Sequence, residues 1–244
     1  VSMAEARKPE ERATKDHLAL ALDVDGLDEA LRLWRQLGDS FTVAKVGLQL
    51  FSSAGPSAVS ALADAGALVF ADLKLHDIPN TVRRASRAMA AAGAHLVTVH
   101  ACGSEEMVRA AVEGFVQGSD DRAGDTIPAG MLGVTVLTSE PSAPPQVLRE
   151  RAELAERAGC VGVVCAAPDL AAVREVGPEL LRVIPGVRLA GTAADDQARV
   201  ATPGEAISLG ADLLVVGRAV TTAADPKEAA ARVLDEVAQA RQTL

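Results

Sequence analysis

The chain has 244 residues, 49% hydrophobic but only 2% aromatic, so its core has to be built from small aliphatic side chains. That length suits one large domain, and no second composition regime marks a boundary. With 24 Lys and Arg against 33 Asp and Glu the net charge is −9, and no basic arm or patch is visible; this argues against a nucleic-acid binder and leaves any phosphorylated ligand to be attracted locally.

Residues 1–16 are mostly charged or small and read as a flexible N-terminal arm, with one domain over 17–244. A strand at 17–22 ends in Asp23. Leu27, Ala30, Leu31, Trp34 and Leu37 then recur at helical spacing up to Gly38. A second strand, 42–46, carries Lys45, and a helix over about 56–65 stops at Gly66. The third strand, 67–74, runs into the segment FADLKLHDIPNT, whose Pro79, Asn80 and Thr81 start a helix reaching about Ala92. A strand at 96–100, a helix at 105–116 and a polar loop at 118–128 follow. The fifth strand, 131–137, leads through Thr138 into a Pro-rich loop and a helix ending at Ala158. Strands at 161–165 and 180–184 flank a helix at 169–176, and a long connection, 185–201, comes next. Thr202, Pro203 and Glu205 form a capping box with Pro at the first helical position; Gly210 ends that helix, 213–216 is the eighth strand, and Asp225 with Pro226 opens the last helix.

Near-continuous apolar strands are the mark of a parallel sheet buried on both faces, and strict strand–helix alternation implies helical crossovers. Eight such repeats in this length favour a closed α/β (β/α)8 TIM barrel over an open doubly wound sheet. The absence of GxGxxG after the first strand also speaks against a dinucleotide-binding sheet. No charged-then-apolar leader opens the sequence and no apolar run is long enough to cross a bilayer. Cys102, Cys160 and Cys165, an odd number, suit a reducing compartment. The expectation is a cytoplasmic protein without membrane contact.

Barrel active sites lie at the C-terminal strand ends, which here carry Asp23, Lys45, Asp72 with Lys74, His100, Thr138, Cys165, Arg188, and Gly217 with Arg218. Strand alternation aims Phe70, Asp72 and Lys74 at one face. Asp72, Lys74, Asp77 and Lys45 together make an array of ammoniums and carboxylates. It is read either as a reaction centre or as a structural ion pair. A lysine between carboxylates stays protonated and can deliver a proton to a developing carbanion, while a carboxylate beside a substrate carboxylate repels it until CO2 leaves. The loops after strands seven and eight commonly bind phosphate. Arg188 and Gly217-Arg218 supply the guanidinium and the open backbone for it, with Gln197 within reach. His76 reads as a scaffold residue, His17 and His95 as structural or exposed, and Cys165 as core. No spacing of His, Asp or Glu makes a metal site.

On these motifs the chain resembles the orotidine 5′-phosphate decarboxylase family, through LALDVD, AKVGLQLF, FADLKLHDIPNTV, VTVHA, GVTVLTS, IPGVR and the run from TPGEAISLG to VVGRAVTTAADP. The resemblance implies conversion of orotidine 5′-monophosphate to uridine 5′-monophosphate in a homodimer with shared sites, with no metal or organic cofactor. It casts Lys74 as proton donor to C6, Asp72 beside the scissile carboxylate, and Lys45 as completing the array and touching the ribose. Asp23 would bind ribose hydroxyls, Thr138 the pyrimidine, and Gln197, Gly217, Arg218 and Arg188 the phosphate. Asp77 and Thr81 would reach into the other subunit's site. Two rival readings are a metal-dependent sugar-phosphate enzyme of the same barrel group and a phosphate-ligand sensor without catalysis.

Overall fold

Strands that are apolar on both faces need cover on both sides, and the chain provides it by closing its sheet. The structure, a computed structural model, describes residues 13–119, 126–140, 143–189, 199 and 201–243. Its strands are β1 (Leu18–Ala21), β2 (Val43–Gly47), β3 (Leu68–Leu75), β4 (Ala94–His100), β5 (Gly130–Val134), β6 (Gly162–Val164), β7 (Leu181–Ile184) and β8 (Leu213–Val216). All neighbours are parallel, the spatial order is the sequence order, and β8 returns to β1 to complete the eight-stranded barrel.

Period-two alternation sorts each strand between two cores. Ala19, Ala21, Val43, Phe70, Leu96, Leu132, Val134, Val183, Leu213 and Val215 fill the barrel interior. Their neighbours Leu18, Leu20, Ala44, Val69, Val97, Val163 and Leu214 pack outward against the helices. The helices are α1 (Leu27–Leu37), α2 (Leu48–Ala54), α3 (Ser57–Asp64), α4 (Pro79–Ala91), α5 (Glu105–Gly118), α6 (Pro145–Arg157), α7 (Leu170–Val176), α8 (Pro203–Ser208), α9 (Arg218–Thr221) and α10 (Pro226–Arg241). Local chemistry sets their ends. Thr202 caps α8 by accepting from the Glu205 amide while the Glu205 carboxylate accepts from the Thr202 amide. Asp225 accepts from the amides of Lys227 and Glu228 at the start of α10.

The sequence reading anticipated the barrel and its strand order but neither α2 nor α9. Both are short, have no side-chain cap and follow a strand at once, so no polar punctuation announces them. β5 ends at Val134 rather than at residue 137, although the Thr135 amide still donates to the Val164 carbonyl. Of the flexible arm expected over 1–16, residues 1–12 lie outside the described residues, and residues 14–17 form a single 3-10 turn. In it Asp16 is buried and accepts a 2.6 Å hydrogen bond from the Thr42 hydroxyl. His17 and His95 are both buried, sharing hydrogen bonds with the Asp212 and Ile127 carbonyls. Among the described residues no helix is long and apolar enough to cross a membrane.

Candidate active site

The inward parity that fills the barrel continues past the apolar layer to its C-terminal mouth, and there the residue types change. Asp23 follows Ala21, Lys45 follows Val43, Asp72 follows Phe70, Thr98 and His100 follow Leu96, and Gly217 follows Val215. A cleft of about 490 Å³ opens at this end, lined by Asp23, Lys45, Gln49, Asp72, Lys74, Thr138, Pro185, Gly186, Arg188, Gly217 and Arg218 over a floor of Ala21, Phe70, Val134, Val164 and Val215. Four cationic side chains face two carboxylates here, in a chain whose overall charge is −9. The local field therefore opposes the global one, as an anionic ligand requires.

Two ion pairs organise one wall. Lys45 Nζ lies 2.9 Å from Asp23 Oδ1 and 3.2 Å from Oδ2, and Lys74 Nζ lies 2.8 Å from Asp72 Oδ1. Lys45 thus pairs with the carboxylate just beyond β1 and Lys74 with that of its own strand. Gly47 makes the first pair possible, since a Cβ there would stand 2.6 Å from Asp23 Oδ1 and 3.0 Å from Lys45 Nζ. The second pair depends on a break in the ladder. β3 and β4 are in register at Ala71–Val97 and again at Leu75–Val99, so three residues of β3 oppose one of β4. Lys74, at φ +51°, is the one non-glycine described residue with positive φ. A lysine in the left-handed region costs roughly 1–2 kcal/mol, and such outliers gather at functional sites. Alternation does put Asp72 and Lys74 on one cleft, but through a bulge rather than a regular pleat.

Across the barrel, the connections after β7 and β8 bring Pro185, Gly186, Arg188, Gly217 and Arg218 to the same cleft. Arg188 is buried, with Nη1 donating to the Val187 carbonyl at 3.1 Å. Arg199 closes a staple near this mouth. Its Nη1 meets both Asp169 oxygens at 2.6 and 2.5 Å, and Nη2 donates to the Leu137 carbonyl.

Residues 16–233 match the family model described as "Orotidine 5'-phosphate decarboxylase / HUMPS family". The chain belongs to this family. It is 48% identical over 234 residues to the orotidine 5'-phosphate decarboxylase of Anaeromyxobacter sp. (strain K), covering 91% of this chain and 96% of that one. It is 43% identical to the enzyme of the same name from Methylobacterium sp. (strain 4-46), over 93% of this chain and 97% of the relative. Its fold is similar to the crystal structure of orotidine 5'-phosphate decarboxylase from Lactobacillus acidophilus, with a TM-score of 0.76, 32% identity and coverage of 90% and 98%.

Set against the expectations for a member of this decarboxylase family, Asp23, Lys45, Asp72, Lys74, Thr138, Arg188, Gly217 and Arg218 converge on the one cleft. Asp77 and Thr81 do not line it among the described residues. Both are exposed, around the start of α4, and the Asp77 carboxylate accepts from the Ile78 amide at 2.6 Å. Gln197 lies outside the described residues. Sequence reasoning passed over Gln49, which lines the mouth and donates to Asp25 at 2.8 Å, and Thr98. Thr98 shares the inward parity of Leu96, a signal that was available in the strand VTVH. His100 is half-buried with its ring 5.6 Å from that of His76. Burial first, and then the neighbouring charges of His76 and Lys74, lower its pKa. His76 also meets Cys102 at 3.8 Å.

Proposed function

We propose that the protein is a carboxy-lyase that decarboxylates orotidine 5′-monophosphate to uridine 5′-monophosphate, the last step of de novo UMP biosynthesis, using its own side chains alone. One observation carries the reading: a carboxylate–ammonium pair, Asp72 and Lys74, shares a single cleft with the opposed Arg188, Gly217 and Arg218. The phosphate is held between the two guanidiniums and the glycine backbone, the ribose by Asp23 and Lys45, and the pyrimidine by Thr138. The substrate carboxylate then lies against Asp72. Cleavage of the bond from C6 to the carboxylate releases CO2 and leaves an electron pair on C6, which takes up a proton from Lys74 Nζ.

Magnitudes set the division of labour. Two charges about 4 Å apart interact by about 4 kcal/mol at an effective dielectric of 20. Enzymes lower barriers by roughly 8–23 kcal/mol, and a carbanion formed without an electron sink lies toward the upper end. Repulsion at Asp72 is therefore too small alone, and binding of the distant phosphate, with Gln197 joining Arg188 and Arg218, has to supply the rest. The decisive measurement follows the absorbance of orotidine monophosphate with purified protein in the presence of a chelator. Turnover is expected to persist, and Lys74→Ala to abolish it while still binding uridine monophosphate. Loss of turnover restored by Mg2+ would instead support the metal-dependent reading.

We further propose a cytoplasmic homodimer in which Asp77 and Thr81 complete the partner's site. Between them Ile78 is 66% exposed, an apolar side chain that a second copy would cover. Mixing inactive Lys74→Ala with inactive Asp77→Asn chains should restore activity through dimers holding one intact site. Two inactive variants that stay inactive on mixing would refute the shared site.

A further inference from the structure

The bulge that carries Lys74 leaves an accounting question. Asp72, Leu73 and Lys74 stand opposite Thr98 alone on β4, so the Lys74 amide needs an acceptor outside the regular ladder. The Thr98 hydroxyl takes that place, accepting from the Lys74 N–H at 2.8 Å. Thr98 is fully buried. A hydroxyl has one proton, and with the amide on its lone pair that proton points to Asp72 Oδ1, 3.2 Å away. The same Oδ1 receives Lys74 Nζ at 2.8 Å. One hydroxyl therefore closes a small circuit through the main chain of the lysine, the side chain of the aspartate and back to the ammonium. Among the described residues no hydrogen bond falls on Asp72 Oδ2, so the whole clamp is made on one oxygen.

We propose that Thr98 is a positioning residue for the reaction. Its hydroxyl holds Lys74 in its left-handed turn and fixes the rotation of the Asp72 carboxylate, and so sets where the proton donor and the charged neighbour stand relative to the substrate. The inference rests on the decarboxylase reading above. A valine of nearly the same shape fills the barrel interior equally well but satisfies neither partner. The Lys74 amide then loses its acceptor, and the Asp72 carboxylate loses one of the two bonds that fix its rotation. Because the pair acts in the chemical step, the loss belongs in kcat rather than in KM, and small misplacements there are expensive.

The test compares wild type, Thr98→Val and Thr98→Ser for kcat and KM on orotidine monophosphate, dissociation constant for uridine monophosphate, and thermal midpoint. Thr98→Val is expected to lose kcat by roughly 10- to 100-fold, with KM and product binding within about threefold of wild type. Thr98→Ser keeps the hydroxyl and is expected to retain at least about a third of wild-type kcat. A folded, product-binding Thr98→Val with kcat within about threefold of wild type overturns the proposal, as does a serine variant as damaged as the valine one. Should the valine variant not fold, Thr98→Ala carries the same expectation. An inactive wild type overturns the decarboxylase reading along with this one, whereas an active wild type with an unaffected valine variant overturns this one alone.

Discussion

Asp72→Asn separates a reaction centre from an ion pair, because it keeps the shape of the side chain and removes only its charge. Lys74 Nζ stands 2.8 Å from Oδ1, a separation at which unit charges attract by about 6 kcal/mol at an effective dielectric of 20. The two side chains are 29% and 16% exposed, so water screens much of this. Desolvation offsets more, leaving about 1–2 kcal/mol of stability to lose. In a chain of this size that is a fall of roughly 2–8 °C in thermal midpoint. A purely structural pair predicts this fall and no more. A carboxylate that acts on the substrate predicts in addition a loss in kcat/KM of about 1,000-fold or more, or about 4 kcal/mol of transition-state stabilisation. Uridine monophosphate lacks the carboxylate that Asp72 opposes, so its binding should be unchanged or tighter. The assays are decarboxylation followed by absorbance, product binding by calorimetry, and thermal unfolding on the same preparation. A folded Asp72→Asn with kcat/KM reduced less than about tenfold would refute the catalytic assignment.

Gly47→Ala introduces a Cβ into the space held by Asp23 Oδ1 and Lys45 Nζ. The side chains have to part, so KM should rise about tenfold with kcat changed far less, and an unaltered KM would show that this pair does not hold substrate. Thiol labelling of the native protein should modify Cys102, which is exposed, and spare the other two. Burial pushes the Cys160 thiol up to about 12 and the Cys165 thiol higher still. Two or three rapidly reacting thiols per chain before unfolding would contradict that packing.

The sequence displayed the barrel because each strand is apolar in both parities, and the cleft because polar residues replace apolar ones where the inward parity reaches the mouth. Lys45 and Asp72 stand out for that reason alone: nothing in the packing of Val43 or Phe70 calls for a charge one step further on. What periodicity could not display is the bulge. A period-two reading places Lys74 beside Asp72, and the structure does the same, but by way of a left-handed lysine and a two-residue slip against β4. No local signal marks it, since the residue that stabilises it, Thr98, is more than twenty positions away and looks like any β-branched strand residue. α2 escaped for a related reason. Leu48 is 56% exposed and the helix buries only Leu50 fully, so it carries no apolar stripe to be read.

Two ion pairs at opposite ends of the barrel differ in geometry and in access to the cleft. At the N-terminal end, Arg182 Nε and Nη2 donate to Asp212 Oδ2 and Oδ1 at 2.6 and 3.0 Å, and the Arg182 amide adds a third bond to Oδ2 at 2.9 Å. Both carboxylate oxygens are used, the guanidinium is engaged as a fork, and the side chains are 16% and 9% exposed. Such a bidentate pair, reinforced by the main chain, joins β7 to the start of β8. At the C-terminal end, Lys74 and Thr98 both address a single oxygen of Asp72, the ammonium is a point charge with further donors to spare, and the pair borders an open cleft. A pair that meets a substrate has to remain incomplete until the substrate arrives, and incompleteness held in place by a strained backbone is what the Asp72–Lys74 wall displays.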